Sequence, residues 1–304
     1  MDSQETTPSP SGHPSFDCGQ RPMPQQKALE PITSITPSKG SKVSRYLNGR
    51  IKPTFYAECQ LILLTFCIGL QDAVSFPDFH CFASNQTGNT VFLVLAIVLP
   101  EMNGDMFVTA NIGVALGFFL AAAWLTGQLG HIIGPRRRLY LLVCNAVQTA
   151  LVFAAAAVQY VQHASGGELH LSGPRTLVAI GLLASAAGSQ VVLSRALAMT
   201  EITTAMATAA WVDLVIDPGL VRGLTKNRPR NRRVAFLTAL VLGTLAGAFI
   251  YKRVGSPAAL VVSGVGKAVV TGMFFWSPQE EEEGGEGGIK GGKGEDAEKG
   301  REGV

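Results

Sequence analysis

Charge is scarce in this chain: 15% of its 304 residues are Asp, Glu, Lys or Arg, against 47% hydrophobic. Soluble domains of this size carry about a quarter charged residues, so a soluble globular enzyme is nearly excluded. The signatures H-E-x-x-H and G-x-S-x-G, the phosphate-binding P-loop and a dinucleotide G-x-G-x-x-G after a strand are all missing, and no enzyme is expected. The five cysteines (Cys18, Cys59, Cys67, Cys81, Cys144) form no C-x-x-C pair and mostly lie in or beside apolar runs. That argues against a disulfide framework or a zinc site and for thiols buried as small apolar groups. The first fifty residues lack the apolar core of a secretory signal peptide, so insertion is expected to rely on the first internal apolar segment. No metal or cofactor is expected; His163, Glu168 and His170 share one loop and read as solvated. The net charge of +3 implies no nucleic-acid partner, because acidic residues concentrate in the C-terminal tail and basic ones beside apolar stretches.

Apolar length is what the chain has. Six runs, at 57–76, 107–127, 139–158, 176–199, 234–251 and 257–276, hold about 18 to 24 residues each, so each spans about 27 to 36 Å as a helix and crosses a bilayer core. Two shorter runs, 88–99 and 203–216, suit re-entrant or broken helices. Loop charge separates six crossings from eight. With both short runs turning back, Lys39, Lys42, Arg45, Arg50, Lys52, Arg136, Arg137, Arg138, Arg222, Lys226, Arg228, Arg230, Arg232 and Arg233 share one side, and only Arg175, Lys252 and Arg253 take the other. Basic residues accumulate on the cytoplasmic side, so six spans with both termini cytoplasmic are expected.

The order long, short, long, long then occurs twice, with three crossings per half (55–160 and 175–276). An odd number of crossings makes the halves antiparallel, a 3+3 inverted repeat of the kind found in secondary transporters. The fold class expected is therefore an all-α integral membrane protein of about six transmembrane helices plus two short re-entrant or broken helices. Gln71 and Gln190 occupy matching places, as do Thr87 and Thr204. G-x-x-x-G occurs at Gly113 and Gly117 and again at Gly243 and Gly247, where small residues let helices approach closely. Residues 1–54 and 277–304 read as disordered tails, the first rich in Pro and Ser, the second in Glu and Gly.

Ionisable and polar groups inside spans are costly and mark the candidate site. Asp72 sits near the end of the first span, ahead of a polar stretch through Asn85, Gln86, Thr87, Gly88 and Asn89. A helix starting at Thr87 or Gly88 would aim its N-terminal amides toward whatever Asp72 faces; the alternative is local capping. Arg195 and Glu201 either pair or stay at the interface. Lys267, in the middle of the last span beside Gly264 and Gly266, is expected to face the bundle and pair with a carboxylate such as Asp72 or Asp213, or else to snorkel. Asn85-Gln86-Thr87 fits the glycosylation sequon, yet a glycan is not expected where the chain folds back on the bundle.

The strings GLQDAVSF and NQTGNTVFL resemble the YoaK-like family of multi-pass membrane proteins, catalogued as domain of unknown function 1275. The resemblance covers about 55–276. Its aspartate falls on Asp72, its T-G-N on Thr87, Gly88 and Asn89, and its second-half G-x-Q and T-T on Gly188, Gln190, Thr203 and Thr204. The second T-G of the family is replaced here by TTAMATAA. The resemblance implies the architecture and leaves the activity open. The functional expectation is a secondary transporter or channel for a small solute or ion, partnered by the lipid bilayer, with Asp72, Thr87, Gly88, Asn89, Gln190, Thr204 and Lys267 lining the site. The alternative is a non-transporting scaffold or sensor.

Overall fold

Proline and glycine set the limits of the long helices. The computed structural model of the protein describes residues 42–164, 171 and 173–280, and every regular element among them is helical. They are α1 (Lys42–Asn48), α2 (Phe55–Phe79), α3 (Gln86–Val98), α4 (Thr109–Ile133), α5 (Arg138–Ala164), α6 (Pro174–Ala196), α7 (Ala207–Val215), α8 (Arg228–Val254) and α9 (Ser256–Phe275). A proline stands in the first turn of α6, α8 and α9, where its missing N–H costs nothing. Gly134 and Gly255, at φ 108° and 104°, end α4 and α8 in a conformation that a side chain would strain.

Six of these helices, α2, α4, α5, α6, α8 and α9, are long and apolar enough to cross a membrane, as expected for an integral multi-pass protein. Several run past the apolar stretch because polar residues continue the helix at its ends, most clearly at Arg228–Arg233 of α8. α2 and α6 are the most buried. α2 packs against α8 and α9, α6 against α4 and α5, and α5 against α9. α4 and α8 turn Trp124, Leu125, Leu245 and Phe249 outward, each at least half exposed, where hydrocarbon would cover them.

The two short helices leave and return at the same end of the bundle. At the start of α4, Asn111 Nδ2 donates to Phe79 O, at the end of α2, and to Leu171 O, both at 2.7 Å. α3 lies between those points and so does not carry the chain across. At the opposite end, Arg232 of α8 bonds Glu58 of α2 at 2.6 Å and Glu201, just after α6, at 3.2 Å, which brackets α7 in the same way. Arg195 therefore does not pair with Glu201; its guanidinium reaches Met206 Sδ instead, because Arg232 holds the carboxylate.

Glu58 is the anchor of that basic end. Its carboxylate side chain, 6% exposed, accepts from Arg228 and Arg232, each at 2.6 Å. Removing its charge leaves Arg232, 17% exposed, facing an amide. Glu58→Gln should cost about 3 kcal/mol, the low end for breaking a buried pair. A drop of several degrees in the detergent-solubilised melting temperature checks this, and an unchanged melting temperature would reassign the pair to the surface.

Residues at the inner edges of the stretches that composition reads as tails are hydrogen-bonded into the structure. Ile51 N donates to Arg136 O at 2.8 Å, Lys52 N to Pro278 O at 3.0 Å and Glu280 N to Arg50 O at 2.8 Å. The Arg138 guanidinium lies 3.8 Å over the Tyr46 ring and bonds Ser277 O. Backbone pairing thus ties 49–52 and 277–280 to the α4–α5 turn, a contact that residue type does not encode. Residues 1–41 and 281–304, with Glu168 and His170, lie outside the described residues.

The glycine motifs divide. A Cβ on Gly243 would collide with Phe66 O of α2, and one on Gly247 would lie 2.8 Å from Ala73 Cβ, so this pair does let two backbones meet. A Cβ on Gly113 or Gly117 would meet nothing within 4 Å. The α4–α6 contact is made instead at Gly188, whose Cβ would collide with Phe119 O. Gly113 and Gly117 lie on a face of α4 turned away from α6, and the expectation for that pair is corrected.

Candidate functional site

A helix in the centre of a bundle buries a whole stripe, and polar residues at helical spacing in that stripe meet their counterparts across the core. α5 places Asn145, Gln148, Thr149 and Gln159 on its buried face, and α9 places Ser256, Ser263 and Lys267 on its own. α2 adds Gln60, Gln71, Ser75 and Asp78, and α6 adds Ser189 and Gln190. The stripes face one another and form a polar file along the inside of the bundle. From Ser256 to Thr271 on α9 it runs about 22 Å.

Lys267 is the centre of the file and is fully buried. Its Nζ donates to Gln148 Oε1 of α5 at 3.3 Å and to Gln190 Oε1 of α6. Those amides are oriented in turn: Gln148 Nε2 donates to Ser189 Oγ at 3.1 Å, and Gln190 Nε2 to Leu64 O at 3.1 Å. One turn along, Gln71 Nε2 donates to Ser263 Oγ at 2.8 Å, and Ser263 Oγ to Cys67 O at 3.0 Å. Toward the basic end, Asn145 Nδ2 donates to Thr271 Oγ1 at 2.7 Å and Lys267 O at 3.0 Å, and Gln60 Nε2 to Ser277 Oγ at 3.0 Å. Toward the other end, Ser256 Oγ donates to Gln159 Oε1 at 3.4 Å, and Tyr251 OH to Asp78 Oδ1 at 2.9 Å.

The file is not saturated. Gln60 Oε1, Gln71 Oε1, Asn145 Oδ1, Gln159 Nε2 and Asp78 Oδ2 are buried without a hydrogen-bond partner among the described residues. Buried polar atoms are ordinarily paired, and each unpaired one loses its hydration without a hydrogen bond in return.

The expected site residues separate into three places. Gln190 and Lys267 meet, as the centre. Lys267 has no carboxylate partner among the described residues: Asp72 accepts from Ser84 Oγ at 2.7 and 2.8 Å, and Asp213 pairs with Arg233 at 3.6 Å in the basic end. The expected ion pair is replaced by two amide oxygens, because Asp72 is drawn to the loop at the end of α2. There α3 is capped by Asn85, whose Oδ1 accepts from Gly88 N at 3.4 Å, and its helix begins at Gln86. Asn85, the sequon residue, and Thr87 are exposed; Gly88 lies against the Phe82 ring. Asn89 is buried but clamps the backbone, accepting from Phe82 N at 2.9 Å and donating to Phe82 O at 2.6 Å. Thr87, Gly88 and Asn89 therefore shape the turn before α3 and do not line the file. Thr204 is buried at the opposite end with φ 59° and an unpaired Oγ1.

Reading single spans for ionisable groups missed Gln148, Asn145 and Ser263. The signal was present: Asn145, Gln148 and Thr149 fall at i, i+3 and i+4 inside an otherwise apolar run. A second signal is an offset of 119 positions that relates Gly69 to Gly188, Gln71 to Gln190 and Gln148 to Lys267. The G-x-x-x-G pairs are 130 positions apart and do not share it.

A family model described as Protein of unknown function (DUF1275) matches residues 60–273. No curated protein and no solved structure matches the chain.

Proposed function

The chain belongs to the DUF1275 family of proteins of unknown function, and from the geometry of its core we propose a membrane transporter or channel-like protein for a small polar solute or ion. The observation that carries this reading is Lys267. Insertion scales assign roughly 2.5 to 3.5 kcal/mol to a lysine at the bilayer centre. Here it meets no anion among the described residues, only the amide oxygens of Gln148 and Gln190. Such a cost is kept where a buried charge serves a pathway. The polar file on either side supplies that pathway, with four unpaired acceptors and one unpaired donor along it among the described residues. In this reading the two halves form an inverted repeat around the site, and the end bearing Glu58, Arg136 and Arg232 faces the cytoplasm, where basic residues collect.

A scaffold is the second reading, favoured by the backbone contacts at Gly69, Gly188 and Gly243, which rigidify the helix pairs. The test is electrical. The full chain is reconstituted in liposomes on a solid-supported membrane and given concentration jumps of chloride, acetate, phosphate, ammonium or alanine. At least one jump should produce a current above that of empty liposomes, and Lys267→Met, folded by size-exclusion profile, should abolish it. Wild-type currents equal to the empty control for every probe would overturn the transport reading and favour the scaffold.

A further inference from the structure

Beside α8, at the basic end and away from the polar file, an apolar groove opens on the outside of the bundle. Its floor is one face of α8, with Asn231, Val234, Thr238 and Leu242 at helical spacing. Ile62 of α2 closes one side and the loop 220–224 the other. Along α8 from Asn231 to Leu242 it extends about 16 Å, the length of an acyl chain of about a dozen methylenes. Val221 and Leu224 on its rim are 95% and 78% exposed, a cost in water that hydrocarbon removes.

The polar end of the groove is positive and unneutralised. Arg222 lines it; Lys226 and Arg228 are exposed next to it. Neither Arg222 nor Lys226 enters an ion pair among the described residues. The neighbouring acids are engaged elsewhere: Glu58 by Arg228 and Arg232, Asp213 and Asp217 by Arg233. Hydrogen bonds from Asn227 and the Gly219 N–H also hold the Asp217 carboxyl below the usual carboxylate range, so it stays an occupied acceptor. Arg230 fixes the loop against the helix by donating to Leu220 O at 2.7 Å and to Arg222 O. The loop is thereby built as a wall rather than left to drift.

An apolar trough of acyl-chain length ending in free cations matches one amphiphile, and we propose that this groove seats an anionic phospholipid, its chain against Val234, Thr238 and Leu242 and its phosphate at Arg222 and Lys226. The proposal does not rest on the transport reading, since groove and file share no residue.

Native mass spectrometry of the full chain, with added dioleoyl phosphatidylglycerol or dioleoyl phosphatidylcholine at equal concentration, tests it. The wild type should retain one phosphatidylglycerol in preference to phosphatidylcholine. Each basic residue near an anionic headgroup is worth roughly fivefold, so Arg222→Gln with Lys226→Gln should lower phosphatidylglycerol retention about 25-fold and lower that of net-neutral phosphatidylcholine much less, removing the preference. Thr238→Trp, which fills the trough from an accessible position, should reduce both lipids. Inorganic phosphate at millimolar concentration should not compete. Equal retention of the two lipids, an unchanged preference in the double variant, displacement by free phosphate, or a dimer mass in place of bound lipid would each overturn the proposal. If the double variant fails to purify, undiminished retention of phosphatidylglycerol in Thr238→Trp does so on its own.

Discussion

Gly188→Val should yield almost no folded protein, while Gly113→Val and Gly117→Val should be recovered at the wild-type level. The contrast rests on what each Cβ would meet. At Gly188 the first side-chain carbon already falls on Phe119 O, a backbone atom of α4 with no rotamer to adopt. The helices must separate, and every α4–α6 contact along about 25 residues loosens with them. Overpacking a well-filled core costs about 1 to 3 kcal/mol when side chains can yield, and more when backbone must move. Against a total stability of about 5 to 15 kcal/mol, the folded state empties only when the cost goes well past about 3 kcal/mol, which is the case when two helix backbones must part along their length. Gly243→Val, against Phe66 O, should behave the same way on the α2–α8 side. Gly188→Ala should fall between, since it brings the colliding carbon but no branch. At Gly113 and Gly117 a side chain enters open space, and the loss of glycine's backbone freedom favours the variant by roughly a few tenths of a kcal/mol once valine's weaker helix preference is counted. Fluorescence-detected size-exclusion of detergent extracts reads all five together. Equal recovery across them would mean that the helix pairs are held by side chains and that the backbone contacts are incidental.

That contrast also shows how far the sequence alone reaches. Six spans, two short helices and their shared ends were legible, because apolar length and the placement of arginines are local quantities. G-x-x-x-G was legible as a motif, but the motif does not state which face of its helix meets a neighbour; only Gly243 and Gly247 lie toward α2. The partner of Lys267 was not legible for a related reason. Electrostatic reasoning pairs a buried ammonium with a carboxylate, and Asp72 and Asp213 were the candidates named for it. Local geometry instead gives Asp72 to Ser84, twelve residues on, and leaves Lys267 to two amides 119 and 77 positions away. Polar residues that carry no charge do not stand out in a hydropathy scan, although Asn145, Gln148 and Ser263 supply much of the file.

Lys267→Met should melt higher than the wild type and lose the proposed conductance. Methionine is close to lysine in length and brings no charge to solvate, so the insertion cost of roughly 2.5 to 3.5 kcal/mol disappears. Against it stand the oxygens of Gln148 and Gln190, which lose a donor at a cost of about 1 to 3 kcal/mol. Each amide keeps the bond its nitrogen donates, Gln148 to Ser189 Oγ and Gln190 to Leu64 O, so only the two oxygens lose a donor, and the charge term is the larger when each oxygen costs the low end of that range. A gain of a few degrees in melting temperature together with abolished current separates function from folding at one atom; a large fall would make the ammonium a structural donor and weaken the transport reading. The exchange variant is the sharper test. Gln148 on α5 and Lys267 on α9 are hydrogen-bonded to each other, and their helices pack face to face. Gln148→Lys alone places two ammonium groups within about 4 Å of each other, an interaction worth several kcal/mol at an effective dielectric near 20. Adding Lys267→Gln returns the core to one ammonium and two amides with the charge moved to the other helix. The double variant should recover most of the stability lost by Gln148→Lys, with a coupling energy of about 2 kcal/mol or more in the double-mutant cycle. Additivity instead would mean that the core distinguishes α5 from α9, and that the 119-residue offset is a correspondence of sequence without an equivalence of place.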